Sequence, residues 1–424
     1  MHFCDYYDNL FSLEKQVFII REHKLKKEVI TVNIAILGFG TVGSGVYKII
    51  KKANRQTQNL HVKHILIRKN KKPDFPEMTD SIDEILNDDD VDVVVEVLGG
   101  IEPAHQYIVE ALKHKKHVIT ANKAVIAQYM DEFTKVSREN GVKFYFESSV
   151  GGGIPWIQGL ERALRIDDVN KIKGIFNGTS NFILDQMHRT GEPFNDVLMQ
   201  AQQLGYAEAD PSADIDGLDV ANKLCISVDI AYDLFIKPTA DLPIFGIRNI
   251  TEDDMAHFDQ LGMTIKLMGV SHQVGNEFDY MVEPTLYYGD TLEAHTTDNY
   301  NLISLHGETI GVLKFMGQGA GQLPTANAVI QDILDIFQNK EHLKREFKST
   351  FKYSANLTKH SYIVRSEIDC STLFKKFNPS VRGDYLVVTD IPVGEMHRLM
   401  KQVLQKDETA FMASLPMKKG GAAK

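Results

Sequence analysis

The hydrophobic pattern of the first third of the chain alternates between short apolar runs and longer amphipathic stretches. Residues 32–37 form an apolar run rich in β-branched residues, and residues 41 to about 51 repeat apolar positions at helical spacing. The alternation continues to residue 146. It predicts strands at 61–67, 91–97, 117–119 and 142–146, and helices at 81–86, 103–113 and about 122–138. Strands that alternate with helices are typical of a doubly wound parallel sheet in an α/β protein.

A glycine-rich turn joins the first predicted strand to the first predicted helix. Residues 38–43 read G-x-G-x-x-G at that position. The first glycine permits the tight turn, the second lets the backbone approach a pyrophosphate, and the third lets the helix pack on the strand. Free N–H groups at the helix start can bind the anion. The pattern favours a Rossmann dinucleotide site over a turn without a nucleotide, and its candidate cofactor contacts are Gly38, Phe39, Gly40, Thr41, Val42 and Gly43.

The end of the second predicted strand bears on the choice of nicotinamide cofactor. An NAD enzyme commonly places an acidic residue there, which bonds the ribose 2′-hydroxyl. This chain instead has a basic run at 68–72 with no carboxylate, in which Arg68 offers a planar guanidinium to a 2′-phosphate. The run favours NADP as cofactor. A solvated basic turn, and the use of NAD as well as NADP, remain compatible with it.

Composition narrows the class of protein. The 424 residues are 43% hydrophobic and 25% charged, which is typical of two or three globular domains. A formal charge of -10 without a basic tract argues against nucleic acid as a partner. No apolar run reaches the ~20 residues of a membrane span, so no membrane partner is expected. Three distant cysteines without metal-ligand spacing suit a reducing cytoplasm, and residues 1–31 read as an N-terminal extension without a secretory signal.

An acidic segment in the middle of the chain gathers five carboxylates around one lysine. Gly205 and Pro211 mark a loop, and apolar positions recur at helical spacing from about residue 217. Asp219 and Lys223 then lie one turn apart on the same side of a helix. In isolation such a pair is most often a solvated surface ion pair. The five acidic residues are Glu208, Asp210, Asp214, Asp216 and Asp219.

Four motifs follow the nucleotide turn along the chain. Residues 120–123 read TANK, 146–155 read FESSVGGGIP, 177–182 read NGTSNF, and the acidic segment runs through Lys223. Together with the turn they resemble the homoserine dehydrogenase family, over about residues 32–335. The resemblance implies NAD(P)-linked interconversion of L-homoserine and L-aspartate 4-semialdehyde, in the biosynthetic branch that leads to threonine, methionine and isoleucine.

The resemblance also implies roles for individual residues. Lys223 is similar to the family's proton donor or acceptor, and Lys123 to its second active-site lysine, which contacts cofactor and substrate. Taken alone, Lys123 could be an ordinary lysine at a helix start, and residues 177–181 an ordinary helix cap. The implied substrate ligands are Gly178, Thr179, Glu208, Asp214 and Asp219, and the further implied cofactor contacts are Lys123, Gly205 and Gly321.

The triple glycine at 151–153 has two interpretations. With Pro155 it reads as a tight structural hinge between domains. The resemblance implies a monovalent cation site instead, with sodium as the ion, and a hard ion suits oxygen ligands. The implied ligands are a group of Glu147 and the carbonyls of Val150, Gly152 and Ile154.

The same resemblance implies a discontinuous domain organisation. Residues 32–155 and about 310–340 form the nucleotide-binding domain, and 156–309 form an α+β substrate-binding domain that also supplies a homodimer interface. In residues 352–424, predicted strands at 362–365 and 385–391 precede an amphipathic helix at 394 to about 405. One interpretation of this C-terminal segment is a shortened relative of the ACT regulatory domain, although the glycine-bearing effector loop of that domain is not apparent.

Two other functions compete with this prediction. A semialdehyde dehydrogenase of the thioester type needs an activated cysteine near the cofactor, whereas Cys225 lies within an apolar helical face and suits a core position. A nucleotide-sensing protein would keep the Rossmann domain and perform no turnover. The intact set of Glu208, Asp219 and Lys223 argues against a sensor. The small-molecule substrate that the resemblance implies is homoserine or aspartate semialdehyde.

Overall fold

The computed structural model describes residues 31–239 and 242–416, so the predicted N-terminal extension lies outside the described residues apart from residue 31. The first strands are β1 (Val32–Leu37), β2 (Leu60–Leu66), β3 (Met78–Thr79), β4 (Val93–Glu96), β5 (His117–Thr120) and β6 (Phe144–Tyr145). They form an all-parallel sheet in the order β3-β2-β1-β4-β5-β6. The order reverses beside β1, and such a reversal opens a ligand crevice at the carboxyl ends of the strands.

Helices cover both faces of this sheet. They are α1 (Thr41–Lys52), α2 (Ile82–Leu86), α3 (Ala104–Lys113) and α4 (Lys123–Glu139). Ala35 and Leu37 of β1 pack into the core that includes α3 and α4, whereas Ile34 and Ile36 pack into the core that includes α1. Burial on both faces is the reason the strands read as continuous apolar runs. The predicted doubly wound sheet is confirmed, and β3 escapes prediction because two residues are too few to show a period.

The remaining strands build a second, mixed sheet. They are β7 (Val169–Ile175), β8 (Met263–Val274), β9 (Glu277–Phe278), β10 (Met281–Tyr288), β11 (Tyr300–Gly307), β12 (Gly311–Gln318), β13 (Lys352–Tyr353), β14 (Lys359–Arg365), β15 (Ser380–Arg382), β16 (Tyr385–Pro392) and β17 (Phe411–Ser414). The main path runs β12-β11-β7-β8-β10-β17-β14-β16-β15. Neighbours along it are antiparallel except β10 and β17, which pair in parallel through Thr285 and Ser414.

Helices between and after these strands pack on the second sheet or join it to the first. They are α5 (Trp156–Ala163), α6 (Gly178–Thr190), α7 (Phe194–Gln203), α8 (Ser212–Ile215), α9 (Leu218–Tyr232), α10 (Glu252–Gln260), α11 (Gln322–Phe337) and α12 (Val393–Leu404). Helix α9 is buried nearly all round, because it lies between α4 and strands β7 and β8. This packing brings Lys223 of α9, which the sequence singled out, close to Lys123, the first residue of α4.

Helix α11 returns the chain to the first sheet. Val329 and Ile333 pack with Val46 and Ile50 of α1 in one core. A Cβ on Gly45 of α1 would come within 2.5 Å of the Gln322 carbonyl oxygen, so the close approach of the two helices requires glycine there.

The C-terminal segment contains the strands and the helix predicted for it, as β14, β16 and α12. The sequence pattern did not indicate β17, which follows α12 and joins this segment to β10. Met396, Met400 and Val403 of α12 pack with Phe374 to form a separate small core. No helix within the described residues is both long enough and apolar enough to cross a membrane.

Candidate active site

The turn that follows β7 holds the first part of the candidate site. Asn177 caps α6, because its Oδ1 accepts a hydrogen bond from the backbone N–H of Ser180 at 2.7 Å. Its Nδ2 donates to Asp214 Oδ1 at 2.7 Å and to Asp219 Oδ2 at 2.8 Å. One asparagine therefore both starts a helix and joins two carboxylates. The sequence indicated the cap but not the bridge.

Asp219 is the centre of the site. Its side chain is 2% exposed, and Lys223 Nζ lies 2.8 Å from Oδ2 while Lys123 Nζ lies 3.0 Å from Oδ1. Burial alone would raise the pKa of Asp219, but the charges of both lysines and the hydrogen bond from Asn177 hold it below its ordinary value. Asp219, Lys123, Lys223 and Asn177 are called the Asp219 cluster below. Protein groups therefore contact both Asp219 oxygens, Lys123 at Oδ1 and Asn177 with Lys223 at Oδ2.

The two lysines of the cluster differ in access. The Lys223 side chain is 9% exposed, and its Nζ also donates to the carbonyl of Phe176 at 2.8 Å. The Lys123 side chain is 44% exposed. The charge of Asp219 raises the pKa of Lys123, with smaller contributions from Asp214 and Glu208. Lys123 is therefore a protonated group that a ligand can reach, beside a second lysine held by two acceptors.

The other predicted substrate residues surround this cluster in different ways. Burial, and then the charge of Asp219, raise the pKa of Asp214. Glu208 is exposed. The hydroxyl of Thr179 donates to the carbonyl of Tyr206 at 2.6 Å. The sequence suggested this hydroxyl as a donor to a ligand, but its proton is already used within the protein. Gly178 and Thr179 still offer backbone N–H groups in the first turn of α6.

The glycine turn at 38–43 has the geometry that its pattern indicated. Gly38 has a φ of +105, and a Cβ on Gly43 would overlap the Gly38 carbonyl oxygen. A Cβ on Gly40 would meet no atom within 4 Å, so open space lies above the start of α1. Gly321 has a φ of +124 and leads into α11, whose Gln322 bonds Lys48 of α1. Gly205 lies in an exposed turn with a φ of +76.

A cleft of about 640 Å³ adjoins this turn. Arg68, Lys69 and Lys71 line it, as the basic run suggested. Asp80 and Glu102 line it too. The sequence showed no carboxylate at the end of β2, but these two acids come from later segments, Asp80 after β3 and Glu102 after β4. Cationic and anionic groups therefore share the cleft.

The loop from Glu147 to Ile154 is the segment for which the resemblance implied a cation site. The Glu147 carboxylate accepts hydrogen bonds from the backbone N–H groups of Ile157 at 2.9 Å and Gln158 at 2.8 Å, in the first turn of α5. Burial raises its pKa to about 8. The carboxylate is thus occupied by a helix N-terminus. Within the described ranges, no group of His, Cys, Asp and Glu side chains is arranged to hold a metal ion.

Cys225, the residue that the thioester alternative would need, lies in the core. It is fully buried on α9, and burial raises the pKa of its thiol well above the ordinary value. A reactive cysteine needs the opposite shift, toward the thiolate. The structure therefore provides no support for a thioester mechanism at this residue.

Comparison with known proteins gives two family matches along the chain. The family described as homoserine dehydrogenase, NAD binding domain, matches residues 38–147, and the family described as homoserine dehydrogenase matches residues 155–334. The chain is 39% identical over 320 residues to the homoserine dehydrogenase of Bacillus subtilis, which is 73% of each chain. It is 32% identical over 382 residues to that of Helicobacter pylori, which is 88% of each chain.

Solved structures show the same relationship. A homoserine dehydrogenase from Thiobacillus denitrificans is similar with a TM-score of 0.81 and 29% identity, over 91% of this chain and 98% of that chain. A hyperthermophilic archaeal homoserine dehydrogenase in complex with NADPH is similar with a TM-score of 0.64 and 27% identity, over 74% of this chain and 100% of that chain. The chain therefore belongs to the homoserine dehydrogenase family of NAD(P)-binding oxidoreductases, whose members act in amino-acid biosynthesis.

Proposed function

We propose that this chain catalyses the reversible, NADP-linked reduction of L-aspartate 4-semialdehyde to L-homoserine. The observation that carries the proposal is the buried Asp219 carboxylate between two lysines, one of which a ligand can reach. Lys123 begins α4 directly after β5, and the glycine turn at 38–43 follows β1 of the same parallel sheet. Because the carboxyl ends of parallel strands share one edge, the lysine and the nucleotide turn lie at that edge together.

The proton that reduction consumes comes from Lys223. The reduced nicotinamide of NADPH would supply the hydride to the aldehyde carbon, leaving NADP⁺. The Lys223 ammonium has three N–H groups and uses two of them on Phe176 O and Asp219 Oδ2, so the third can protonate the alkoxide oxygen of the product. Lys123, held beside it by Asp219, stabilises the negative charge that develops on that oxygen and contacts the cofactor.

The amino-acid end of the substrate has both charges to satisfy. Glu208, which is exposed and close enough to raise the pKa of Lys123, binds the ammonium group, with Asp214 beside it. The backbone N–H groups of Gly178 and Thr179, at the start of α6, bind the carboxylate. These assignments give each polar group of homoserine a partner of opposite charge or hydrogen-bonding type.

The preference for NADP rests on the basic side of the nucleotide cleft. Arg68 offers two N–H groups to a 2′-phosphate, and Lys69 adds a positive charge beside it. The archaeal relative in complex with NADPH is consistent with this cofactor. Arg68→Ala should weaken NADPH more than NADH, by about 1–3 kcal/mol. Equal losses for both cofactors would assign Arg68 to the shared pyrophosphate or to the fold.

A monovalent cation, sodium, is proposed for the loop at 150–154. The carbonyls of Val150 and Gly152 accept no hydrogen bond from residues 31–239 and 242–416, and carbonyl oxygen is a suitable ligand for a hard ion. The Ile154 carbonyl accepts from Trp156 N–H at 2.7 Å and keeps a second lone pair. The group of Glu147 in the proposed set is its backbone carbonyl, because its carboxyl group accepts hydrogen bonds from two N–H groups of α5. This carbonyl accepts from Val150 N–H at 3.4 Å and keeps a second lone pair. A higher melting temperature in sodium chloride than in choline chloride supports the site.

The wider organisation is proposed on the same basis. Residues 32–155 with α11 bind the nucleotide, 156–309 bind the substrate and form a homodimer, and the segment from 352 onward forms a reduced ACT-like unit. The sequence placed the return segment at about 310–340, but 311–318 pair with β11 as β12, so this strand belongs with the second sheet. The return of α11 to α1 supports the discontinuous first domain. Two buried, free cysteines among the described residues suit a cytoplasmic location.

The decisive test follows NADPH absorbance with the purified full chain and L-aspartate 4-semialdehyde. We expect NADPH consumption that depends on the semialdehyde and yields homoserine. A thioester dehydrogenase would instead reduce NADP⁺ when semialdehyde and phosphate are present. A nucleotide sensor would bind NADPH without turnover, and either of these results would overturn the proposal.

A further inference from the structure

Asn301, a buried residue at the start of β11, contacts the same carbonyl as the proposed proton donor. Its Nδ2 donates to Phe176 O at 2.8 Å, and Lys223 Nζ donates to the same oxygen at 2.8 Å. A carbonyl oxygen has two lone pairs, so these two donors complete its hydrogen bonding. Asn301 is thus linked to Lys223 through one shared acceptor, although it lies on β11, far from the acidic segment in sequence.

The shared carbonyl belongs to the turn that organises the Asp219 cluster. Phe176 O is one acceptor of the Lys223 ammonium, and the other, Asp219 Oδ2, is held by the side chain of the next residue, Asn177. Fixing the peptide plane between residues 176 and 177 therefore fixes both acceptors. With both acceptors fixed, the direction of the third Lys223 N–H is fixed as well.

Burial of the Asn301 amide lowers the stability of the fold. The residue is fully buried, and its Oδ1 has no hydrogen-bond partner among the described residues. A leucine would fill a similar volume without an unpaired amide oxygen. Buried polar groups left unpaired in a native protein need an explanation, and functional sites are where such local costs are expected.

The Asn301 side chain also lies against the segment at 319–321, which leads back to the nucleotide-binding domain. A Cβ on Gly319 would overlap the Asn301 side chain, so the backbone at 319 lies directly against it. Two residues later, Gly321 begins the return to α11 and α1. The Asn301 amide therefore lies between the Phe176 carbonyl, which accepts from Lys223, and the segment at 319–321 that leads to α11.

We propose that Asn301 is a positioning residue, which aims the Lys223 ammonium by locking the Phe176 carbonyl and which sets its place relative to the nucleotide domain. The inference rests on the proposed role of Lys223. It adds a residue of β11 to the machinery of proton transfer, although Asn301 itself touches neither the substrate nor the proton.

The test is a double-mutant cycle in the full chain. Asn301→Leu should lower kcat for semialdehyde reduction by about 10- to 10²-fold, the scale of a small misplacement of a catalytic group, with the NADPH dissociation constant changed by less than about twofold. In the Lys223→Ala background the same substitution should change the residual kcat by less than about twofold, because the group that it positions is gone.

Ser304→Ala is the matched control. Ser304 lies on the same strand, is buried, and donates from Oγ to the carbonyl of Lys173 on the same neighbouring strand at 2.9 Å. It should leave kcat unchanged in both backgrounds. If Asn301→Leu does not fold, Asn301→Asp keeps the side-chain shape and replaces the N–H donor by a carboxylate oxygen, and it should lower kcat similarly.

The outcomes separate the two proposals. Near wild-type kcat in folded Asn301→Leu or Asn301→Asp, or equal losses with and without Lys223, would overturn the positioning role while leaving the proposed function intact. Near wild-type kcat in Lys223→Ala alone would instead overturn the assignment of the proton donor.

Discussion

Two fully buried carboxylates in this molecule have similar surroundings and different roles. The Asp219 cluster joins a carboxylate to two lysines and an asparagine. On β10, Glu283 lies 2.9 Å from His397 of α12, 3.1 Å from His360 of β14 and 3.0 Å from the hydroxyl of Tyr362. The second group is called the Glu283 cluster. Each carboxylate thus has two potentially cationic neighbours and one further donor.

Access distinguishes the two clusters. In the Asp219 cluster, Lys123 is 44% exposed and can meet a ligand. In the Glu283 cluster, His360 is only 18% exposed and His397 5%, and the Tyr362 side chain is fully buried. Lysine is protonated throughout the neutral range, whereas histidine changes charge within it. Lys123 is thus more exposed than either histidine of the Glu283 cluster, so the Asp219 cluster offers a ligand the more accessible cation. The Glu283 cluster instead joins the C-terminal segment to β10 through buried hydrogen bonds.

Removal of the Glu283 carboxylate is the strongest test of this contrast. Glu283→Ala leaves two histidines and a tyrosine without their buried acceptor, and it should lower the free energy of unfolding by about 3–5 kcal/mol. Urea denaturation measures the change. Glu395→Ala, which breaks only the exposed pair with Arg398 on α12, should stay within about 0.5 kcal/mol of wild type. Wild-type stability of Glu283→Ala would contradict a stabilising role of the Glu283 cluster.

In the Asp219 cluster, removal of the Lys223 side chain should act on the reaction rate. Lys223→Ala should lower kcat by about 10²-fold, equivalent to about 2.7 kcal/mol in the barrier, because the proton donor is lost. NADPH affinity, measured by fluorescence titration, should be nearly unchanged. Lys135→Ala on the exposed face of α4 is the control and should keep wild-type kcat. A Lys223→Ala variant with near wild-type kcat would remove the chemical half of the contrast.

Acid should reduce the contribution of the Glu283 cluster to stability before the Glu283 carboxylate is fully protonated in the folded protein. Burial alone would raise the pKa of Glu283, but hydrogen bonds with His360 and His397 lower it from 4.5 to about 2. A carboxyl whose folded pKa lies below its unfolded value stabilises the fold above that value and loses this contribution as pH falls. We expect roughly 1 kcal/mol to be lost by about pH 4. The stability difference between wild type and Glu283→Gln, from urea midpoints at about pH 6 and about pH 4, should shrink by that amount. A constant difference would contradict the shift.

The smallest expected effect is that of L-threonine on the rate. A cleft of about 780 Å³ lies between β8 and the C-terminal strands. Apolar side chains line it together with polar and charged ones, which include His257, Lys359, His360, Arg382 and Asp390. Because the Glu283 cluster ties this segment to β10 in one arrangement and no effector loop is apparent, we expect millimolar L-threonine to leave the initial rate unchanged. Allosteric coupling would change affinity by about 5- to 150-fold. Inhibition that Arg382→Ala abolishes would show that the cleft is a regulatory site.

Local patterns were enough for much of the fold. The period of the apolar residues from Val32 onward predicts the doubly wound sheet, and the glycine turn predicts its nucleotide edge, since both depend on neighbours in sequence. The acidic segment likewise places Asp219 and Lys223 on one side of a helix. The motif around Glu147 did not show what its side chain contacts, because the two N–H groups from which it accepts hydrogen bonds belong to the first turn of α5, outside the motif.

The sheet, the nucleotide turn and the acidic helix were therefore predictable from local patterns, each of which extends over a short stretch of the chain. Tertiary structure decided which groups meet. Packing of α9 between α4 and the second sheet brings Lys123 to Asp219, and the pairing of β11 with β7 brings Asn301 to the carbonyl that holds Lys223. The partners of Glu283 likewise come from β14 and α12 without any motif. Such contacts join residues far apart in sequence, and only the packing of whole elements sets their distances.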